Sequence, residues 1–241
     1  MEFAESQFRC MACETLLVID PVQAQVLTKF FKGLPPIICS KCDDEAKRGR
    51  EDADRQQRVA ESLRQWADLV PADYEDTDPE KLPDTASWVR IHNHDFQQGQ
   101  GVLLHGRTRA GKSRMGWLLL KAAARQALTI EAATAYGFGR ELAIRFRDNK
   151  DAHGYVRRLE RAGVLLLDDL DKLCPTSRAE TELFGLVEER VSHRRPTIVT
   201  TNQNAEGLVK QFERKELGAA IISRLRENCA TVFCTPREAK K

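Results

Sequence analysis

Apolar runs punctuate the second half of the chain: Gly101-Val102-Leu103-Leu104-His105, Leu128-Thr129-Ile130-Glu131-Ala132-Ala133-Thr134, Val164-Leu165-Leu166-Leu167, Thr197-Ile198-Val199-Thr200-Thr201 and Ala230-Thr231-Val232-Phe233-Cys234. Each reads as a strand, and the unbroken run at 164–167 suits a strand buried on both faces of a parallel sheet. Helical patterns separate the runs. Residues 114–127 are rich in Leu, Ala and Lys, residues 136–147 predict another helix, and within 177–194 the side chains of Leu183, Leu186, Val187 and Val191 share one face.

The first half is patterned differently. Charges dominate from 43 to 58, after which Val59, Leu63, Trp66 and Val70 recur at helical spacing. This predicts a helix that starts as a solvated connector, ends docked, and stops at Pro71. Residues 72–83 are acidic, contain Pro79 and Pro83, and read as a linker. Trp88, Val89, Ile91 and Phe96 then lead into the first strand.

The chain has 241 residues, enough for one good core plus a small module. With 41% hydrophobic and 31% charged residues, it is expected to be soluble and globular. A net charge of +2 excludes a strongly basic tail, so any nucleic-acid contact must come from local patches. Met1-Glu2-Phe3-Ala4-Glu5 has neither the basic nor the apolar segment of a signal peptide, and no apolar run reaches membrane-spanning length. The expected compartment is the cytoplasm, where the seven cysteines would be thiols or metal ligands.

Gly106-Arg107-Thr108-Arg109-Ala110-Gly111-Lys112-Ser113 fits the phosphate-loop pattern at every fixed position and stands between a strand and a helix, the context it requires. Glycines allow the tight curvature that aims backbone N–H groups at phosphate oxygens, and the following helix N-terminus favours negative charge. Lys112 would reach the β- and γ-phosphates of ATP, and Ser113 would ligate Mg²⁺. The run at 164–167 ends in Asp168 and Asp169. At a strand tip, Asp168 would hold the Mg²⁺ shell and Asp169 would polarise the attacking water. Asn202 ends the next strand, where it would orient that water or read the γ-phosphate.

Cys10-Met11-Ala12-Cys13 and Cys39-Ser40-Lys41-Cys42 are two C-x-x-C knuckles. Together they complete a tetrahedral Zn²⁺ site with no open position, hence structural. A module of about 45 residues buries too little apolar surface to fold alone, and zinc supplies on the order of 10 kcal/mol. Disulfides and a redox pair are the competing readings, disfavoured by compartment and by duplication. Residues 16–31 are expected to hold a hairpin or short helix. His92, His94 and Asp95 invite a metal reading, but nothing completes a ligand set. Arg140, Arg145, Arg147, Lys150, Arg157, Arg158 and Arg161, with Tyr136 and Phe138, suit single-stranded nucleic acid or a solvated amphipathic helix pair. Cys174, Cys229 and Cys234 read as ordinary thiols.

Taken in order, Gly111-Lys112-Ser113, Leu167-Asp168-Asp169-Leu170, Ile198-Val199-Thr200-Thr201-Asn202 and Ser223-Arg224-Leu225 resemble the AAA+ ATPases of the DnaC/IstB-like group, the helicase loaders and transposition helpers. The resemblance covers about 88–234. It implies an α/β fold, the AAA+ three-layer sandwich around a parallel five-stranded sheet. Around it this chain would place a zinc-binding module at 1–45, a helical linker at 46–84 and an ATPase domain at 85–241 without a C-terminal lid or sensor-2 arginine. By resemblance Asn202 is the sensor-1 asparagine and Arg224 the finger that enters a neighbour's ATP site, with Arg226 as the fallback. Arg109 stands where small residues are common in the family. The resemblance also implies an ATP-dependent homo-oligomer with single-stranded DNA in its channel. It implies too that the N-terminal module grips a replicative DNA helicase, although zinc knuckles also bind nucleic acid. The rival readings are a transposition helper acting on duplex DNA with a transposase, and a nucleotide-gated scaffold that does not hydrolyse.

Overall fold

The structure is a computed structural model that describes residues 8–20 and 37–235. Contacts divide the chain into two compact units, Met1–Gln57 and Arg58–Lys241.

In the first unit β1 (Phe8–Arg9) pairs antiparallel with β2 (Leu16–Leu17), Phe8 opposite Leu17. Cys10 forms a parallel bridge with Ile37, which brings the two cysteine turns together. Helix α1 (Ser40–Leu69) begins inside the second turn. Of the element expected at 16–31, Leu16 and Leu17 form a strand, and residues 21–31 lie outside the described residues.

The second unit is built on five strands: β3 (Gly101–Gly106), β4 (Ile130–Thr134), β5 (Val164–Asp168), β6 (Thr197–Thr201) and β7 (Cys229–Cys234). Their order is β4-β5-β6-β3-β7 and every pairing is parallel. All residues of β5 and β6 are buried, which is why those runs carry no polar alternation. Side chains alternate between faces. Val102, Leu104, Leu166 and Ile198 pack with Met115, Leu119 and Leu120 of helix α4 (Lys112–Arg125), which follows the short helices α2 (Ala72–Glu75) and α3 (Thr85–Ile91). Leu103, Leu165, Leu167 and Val199 pack on the opposite face with Leu183, Leu186, Ile221 and Leu225. Those residues belong to the longer helices among α5 (Ala135–Arg147), α6 (Ala152–Arg161), α7 (Ser177–Ser192), α8 (Ala205–Gln211) and α9 (Lys215–Asn228). The result is the AAA+-like three-layer α/β fold.

Residues 72–83 differ from a plain linker. They fold into α2 (Ala72–Glu75) and a 3-10 turn (Pro79–Lys81) capped by Asp78, whose side chain accepts from Glu80 N. Leu82 is only 1% exposed and joins the core with Trp66, Phe96 and Trp117. Asp84 then caps α3 (Thr85–Ile91), accepting from Ser87 N at 3.0 Å and Thr235 N at 2.8 Å. One leucine in an acidic stretch carries no periodic signal, and its tertiary socket orders the segment together with the Asp78 cap.

The basic stretch also resolves. Phe138 is fully buried in the core and is not available to stack on a base, whereas Tyr136 is half exposed. Arg145 pairs with Glu141, Arg147 and Lys150 with Asp148, and Arg158 with Glu131. Four of the basic side chains of this stretch are thus paired with carboxylates. His94 Nε2 meets Gln100 O at 2.8 Å and His92 Nδ1 meets Val89 O at 2.9 Å, so both rings serve backbone contacts.

Candidate functional site

Three strand tips converge at the C-terminal edge of the sheet, where the loops after β3, β5 and β6 emerge. The first is the phosphate loop. Gly106 has φ +138 and a Cβ there would stand 2.1 Å from Cys234 O, so neither the torsion nor the space admits a side chain. Gly111 has φ +82 and a Cβ would meet Pro83 Cδ at 2.9 Å. Arg109 adopts φ +65 without being glycine, a conformation that costs about 1–2 kcal/mol. Helix α4 starts at Lys112, directing its N-terminal N–H groups into the loop.

Lys112 is 5% exposed and threads back under the loop. Its Nζ donates to Gly106 O at 2.9 Å, Arg107 O at 2.7 Å and Asn202 Oδ1 at 2.9 Å. Burial lowers its pKa, and Cys234, Asp171, Asp169 and Asp168 act in the opposite sense.

On the second tip, Asp168 is 6% exposed. Burial raises its pKa and the Asp169 charge adds to that, while hydrogen bonds from Thr200 and Ser113 oppose it. Thr200 Oγ1 donates to Asp168 Oδ1 at 2.5 Å and accepts from Asp169 N at 2.8 Å. Asp169 has φ +55, and its carboxylate is held by Lys172 Nζ at 2.6 Å.

The third tip carries Asn202. Its backbone N donates to Asp171 Oδ1 at 2.8 Å and its Nδ2 to Asp171 Oδ2 at 3.0 Å. Burial would raise the Asp171 pKa, but these bonds and one from Thr201 Oγ1 hold it below the usual carboxylate range. Lys112, Ser113, Asp168, Asp169 and Asn202 therefore come together as the motif order requires. Arg224 does not join them within the chain. It lies on α9, with Nε 2.6 Å from Glu188 and Nη1 3.7 Å from Glu227. Arg226 instead lines a cavity of about 310 Å³ beside the strand tips, with His105, Thr201 and Gln203.

Two residues here have no counterpart in the motif reading. Asp171 was hidden in an acidic run whose first two carboxylates already had roles. Tyr74, in the stretch read as linker, stacks on Trp117 with centroids 6.4 Å apart, and its hydroxyl lies near Ser113. Its pKa is raised by burial and by the Asp168 charge. No motif flags an isolated tyrosine.

In the first unit the Sγ atoms of Cys10, Cys13, Cys39 and Cys42 all lie within 4.8 Å of one another. All are free of disulfides, and Cys13 Sγ is 3.6 Å from Cys39 Sγ. Zn–S bonds near 2.3 Å put tetrahedral sulfurs about 3.8 Å apart, so the spacing and the soft donor set fit zinc. Cys39 N donates to Cys10 Sγ at 3.3 Å, and this bond leads in lowering the Cys10 thiol to about 6, while Cys42 is raised by its contacts with Cys13 and Cys39. The cluster is the one such group of potential metal ligands among the described residues.

Comparison places this geometry among known folds. The DnaC helicase loader superposes with a TM-score of 0.57 at 18% identity, over 68% of this chain and 100% of that one. DnaI gives 0.53 at 20%, over 71% and 94%. The replication initiator DnaA bound to AMPPCP and single-stranded DNA gives 0.55 at 13%, over 68% of this chain and 50% of that one. This chain therefore spans about half the length of that DnaA, and at these identities the likeness is one of fold. No curated protein sequence matches. No helix among the described residues is long and apolar enough to cross a membrane. Residues 42–237 match the family of IstB-like ATP binding proteins, and the chain belongs to that family.

Proposed function

We propose that this protein is a Mg²⁺-dependent ATPase that loads or remodels a replicative DNA helicase on single-stranded DNA. The observation that carries the ATPase reading is the Lys112–Asn202 contact, which joins the phosphate loop to the third strand tip beside Asp168. Residues 106–113 cradle the phosphates through backbone N–H groups. Lys112 exchanges its carbonyl partners for β- and γ-phosphate oxygens. Ser113 and Asp168 present adjacent oxygens, a donor set that suits Mg²⁺. Bound there, Mg²⁺ would neutralise charge on the β- and γ-oxygens. Asp169 orients the attacking water once Lys172 releases it. Arg224, exposed and outside its own site, supplies the finger to a neighbouring copy in an ATP-dependent oligomer.

The helicase reading is supported by the likeness in fold to the DnaC helicase loader over the whole of that solved chain and 68% of this one. It is also supported by Met11, Leu16, Val18 and Ile38, apolar and at least half exposed in the unit that holds the Cys10, Cys13, Cys39 and Cys42 sulfurs. Apolar tips suit a protein partner better than a phosphate backbone. In this reading Zn²⁺ on the four cysteines shapes the grip and the protein works in the cytoplasm, with no membrane partner.

A second reading, a transposition helper on duplex DNA, is supported by the IstB-like family match itself. The test is co-migration with the host replicative helicase on a sizing column, with and without ATP. A complex lost on deleting residues 1–57, which leaves the core residue Trp66 in place, supports the loader. Absence of a complex under every nucleotide condition, with ATP-dependent retention on duplex DNA and a transposase, supports the helper. The non-hydrolysing scaffold stands only if wild type and Lys112→Ala turn over ATP at equal rates.

A further inference from the structure

The amide of Asn202 is held between two groups of opposite hydrogen-bonding character. On one side stands Lys112 Nζ, 2.9 Å from Oδ1; on the other stands Asp171 Oδ2, 3.0 Å from Nδ2. An ammonium can only donate and a carboxylate can only accept. The amide therefore has one compatible orientation. Rotating it by half a turn would face NH₂ to the ammonium and C=O to the carboxylate, replacing two charge-assisted bonds by two repulsions. Asp171 does more than touch the side chain. Its Oδ1 also accepts from Asn202 N at 2.8 Å and Thr201 Oγ1 at 3.0 Å, and that hydroxyl accepts from Gln203 N at 3.1 Å. The tip of β6 thus hangs on one carboxylate from the turn after β5.

We infer that Asp171 is a positioning residue that fixes the Asn202 amide with its carbonyl oxygen toward the phosphate loop, so that Asn202 acts there as a hydrogen-bond acceptor. This rests on the ATPase reading above and chooses between the two tasks open to Asn202. The carbonyl oxygen turned toward the loop cannot donate to a γ-phosphate oxygen. It can hold the Lys112 ammonium until phosphates draw it away, and it can then accept a proton-bearing bond from the attacking water. The one Nδ2 hydrogen directed at Asp171 is not available to the nucleotide.

The test is a double-mutant cycle on the full chain with Asp171→Ala and Asn202→Ala, reading kcat and KM for ATP, with the ¹⁵N side-chain amide resonance of Asn202 as a readout independent of turnover. Asp171→Asn, which keeps shape and volume, covers the case in which the alanine variant does not fold. The expected result is a fall in kcat of about tenfold or more for Asp171→Ala with KM within about threefold, and an effect below about twofold when Asn202 is already alanine. The Asn202 amide protons should shift upfield in Asp171→Ala and Asp171→Asn as the bond to the carboxylate is lost. An unmoved amide resonance, or effects on kcat that multiply independently, would overturn the inference. A wild-type protein that binds but does not hydrolyse ATP would sink the ATPase reading alone, because the resonance still reports whether Asp171 orients the amide.

Discussion

Asn202 Oδ1 accepts a hydrogen bond from Lys112 Nζ at 2.9 Å, across ninety positions of sequence. The same ammonium is bonded to Gly106 O and Arg107 O, so the lysine is pre-placed under the loop with its charge compensated by three oxygens. Phosphate oxygens offer stronger charge-assisted partners than these neutral acceptors. Lys112→Ala should therefore weaken ATP and ADP binding by about 100-fold or more, roughly 2.7 kcal/mol, measured by calorimetry. Retained affinity would remove the phosphate loop from nucleotide binding.

Asp168 predicts a pH dependence. Burial raises its pKa, so the folded protein takes up this proton at a higher pH than an exposed aspartate would. A raised carboxylate favours the protonated folded state as pH falls, but only the ionised form ligates a cation. The Mg²⁺-dependent part of ATP affinity should thus be full at neutral pH and decline on acidification before ordinary carboxylates titrate. Asp168→Asn should abolish the Mg²⁺ increment at every pH, and an unchanged increment in that variant would remove Asp168 from the metal shell.

The cysteine cluster predicts one zinc per chain by metal analysis. Each of Cys10→Ser, Cys13→Ser, Cys39→Ser and Cys42→Ser should reduce that stoichiometry sharply, because a closed site needs all four sulfurs. Chelation should remove a thermal transition from the full chain while the calorimetric ATP affinity stays within about twofold. A zinc content well below one in the wild type would exclude the assignment.

Arg224→Ala should keep ATP binding and lose most hydrolysis, with a rate reduction of about 10³ if it serves as the finger. Its bonds to Glu188 and Glu227 are solvent-exposed, so the melting temperature should barely move. Normal turnover would shift attention to Arg226, which lines the same cavity as His105 beside the strand tips.

Arg190 predicts a stability effect away from the site. It is 1% exposed and donates to the carbonyls of Leu159, Ala162 and Pro196 and to the Thr197 hydroxyl. Arg190→Met leaves those buried acceptors without donors and should cost about 3 kcal/mol or more in chemical denaturation. A loss under about 1 kcal/mol would mean that water reaches them.

The chain's own pattern determined a large part of this. Buried parallel strands need unbroken apolar runs, so Val164-Leu165-Leu166-Leu167 and Thr197-Ile198-Val199 were legible as strands. The phosphate loop and the paired cysteine turns were legible because their chemistry demands fixed residues at fixed local spacing, whereas the approach of the two turns that sets four sulfurs within 4.8 Å is tertiary, made by the bridge of Cys10 to Ile37. Tertiary structure alone decided what depends on neighbours distant in sequence. Leu82 and Phe138 differ little from their surroundings in pattern, yet their sockets bury both. Tyr74 reaches Trp117 only because 72–83 folds back on α4. Asp171 acquires its part because parallel pairing sets the tips of β5 and β6 side by side. A local motif records the residues that a ligand must touch, whereas the groups that orient those residues are chosen by the approach of chain segments far apart in sequence, and such contacts leave no periodic trace.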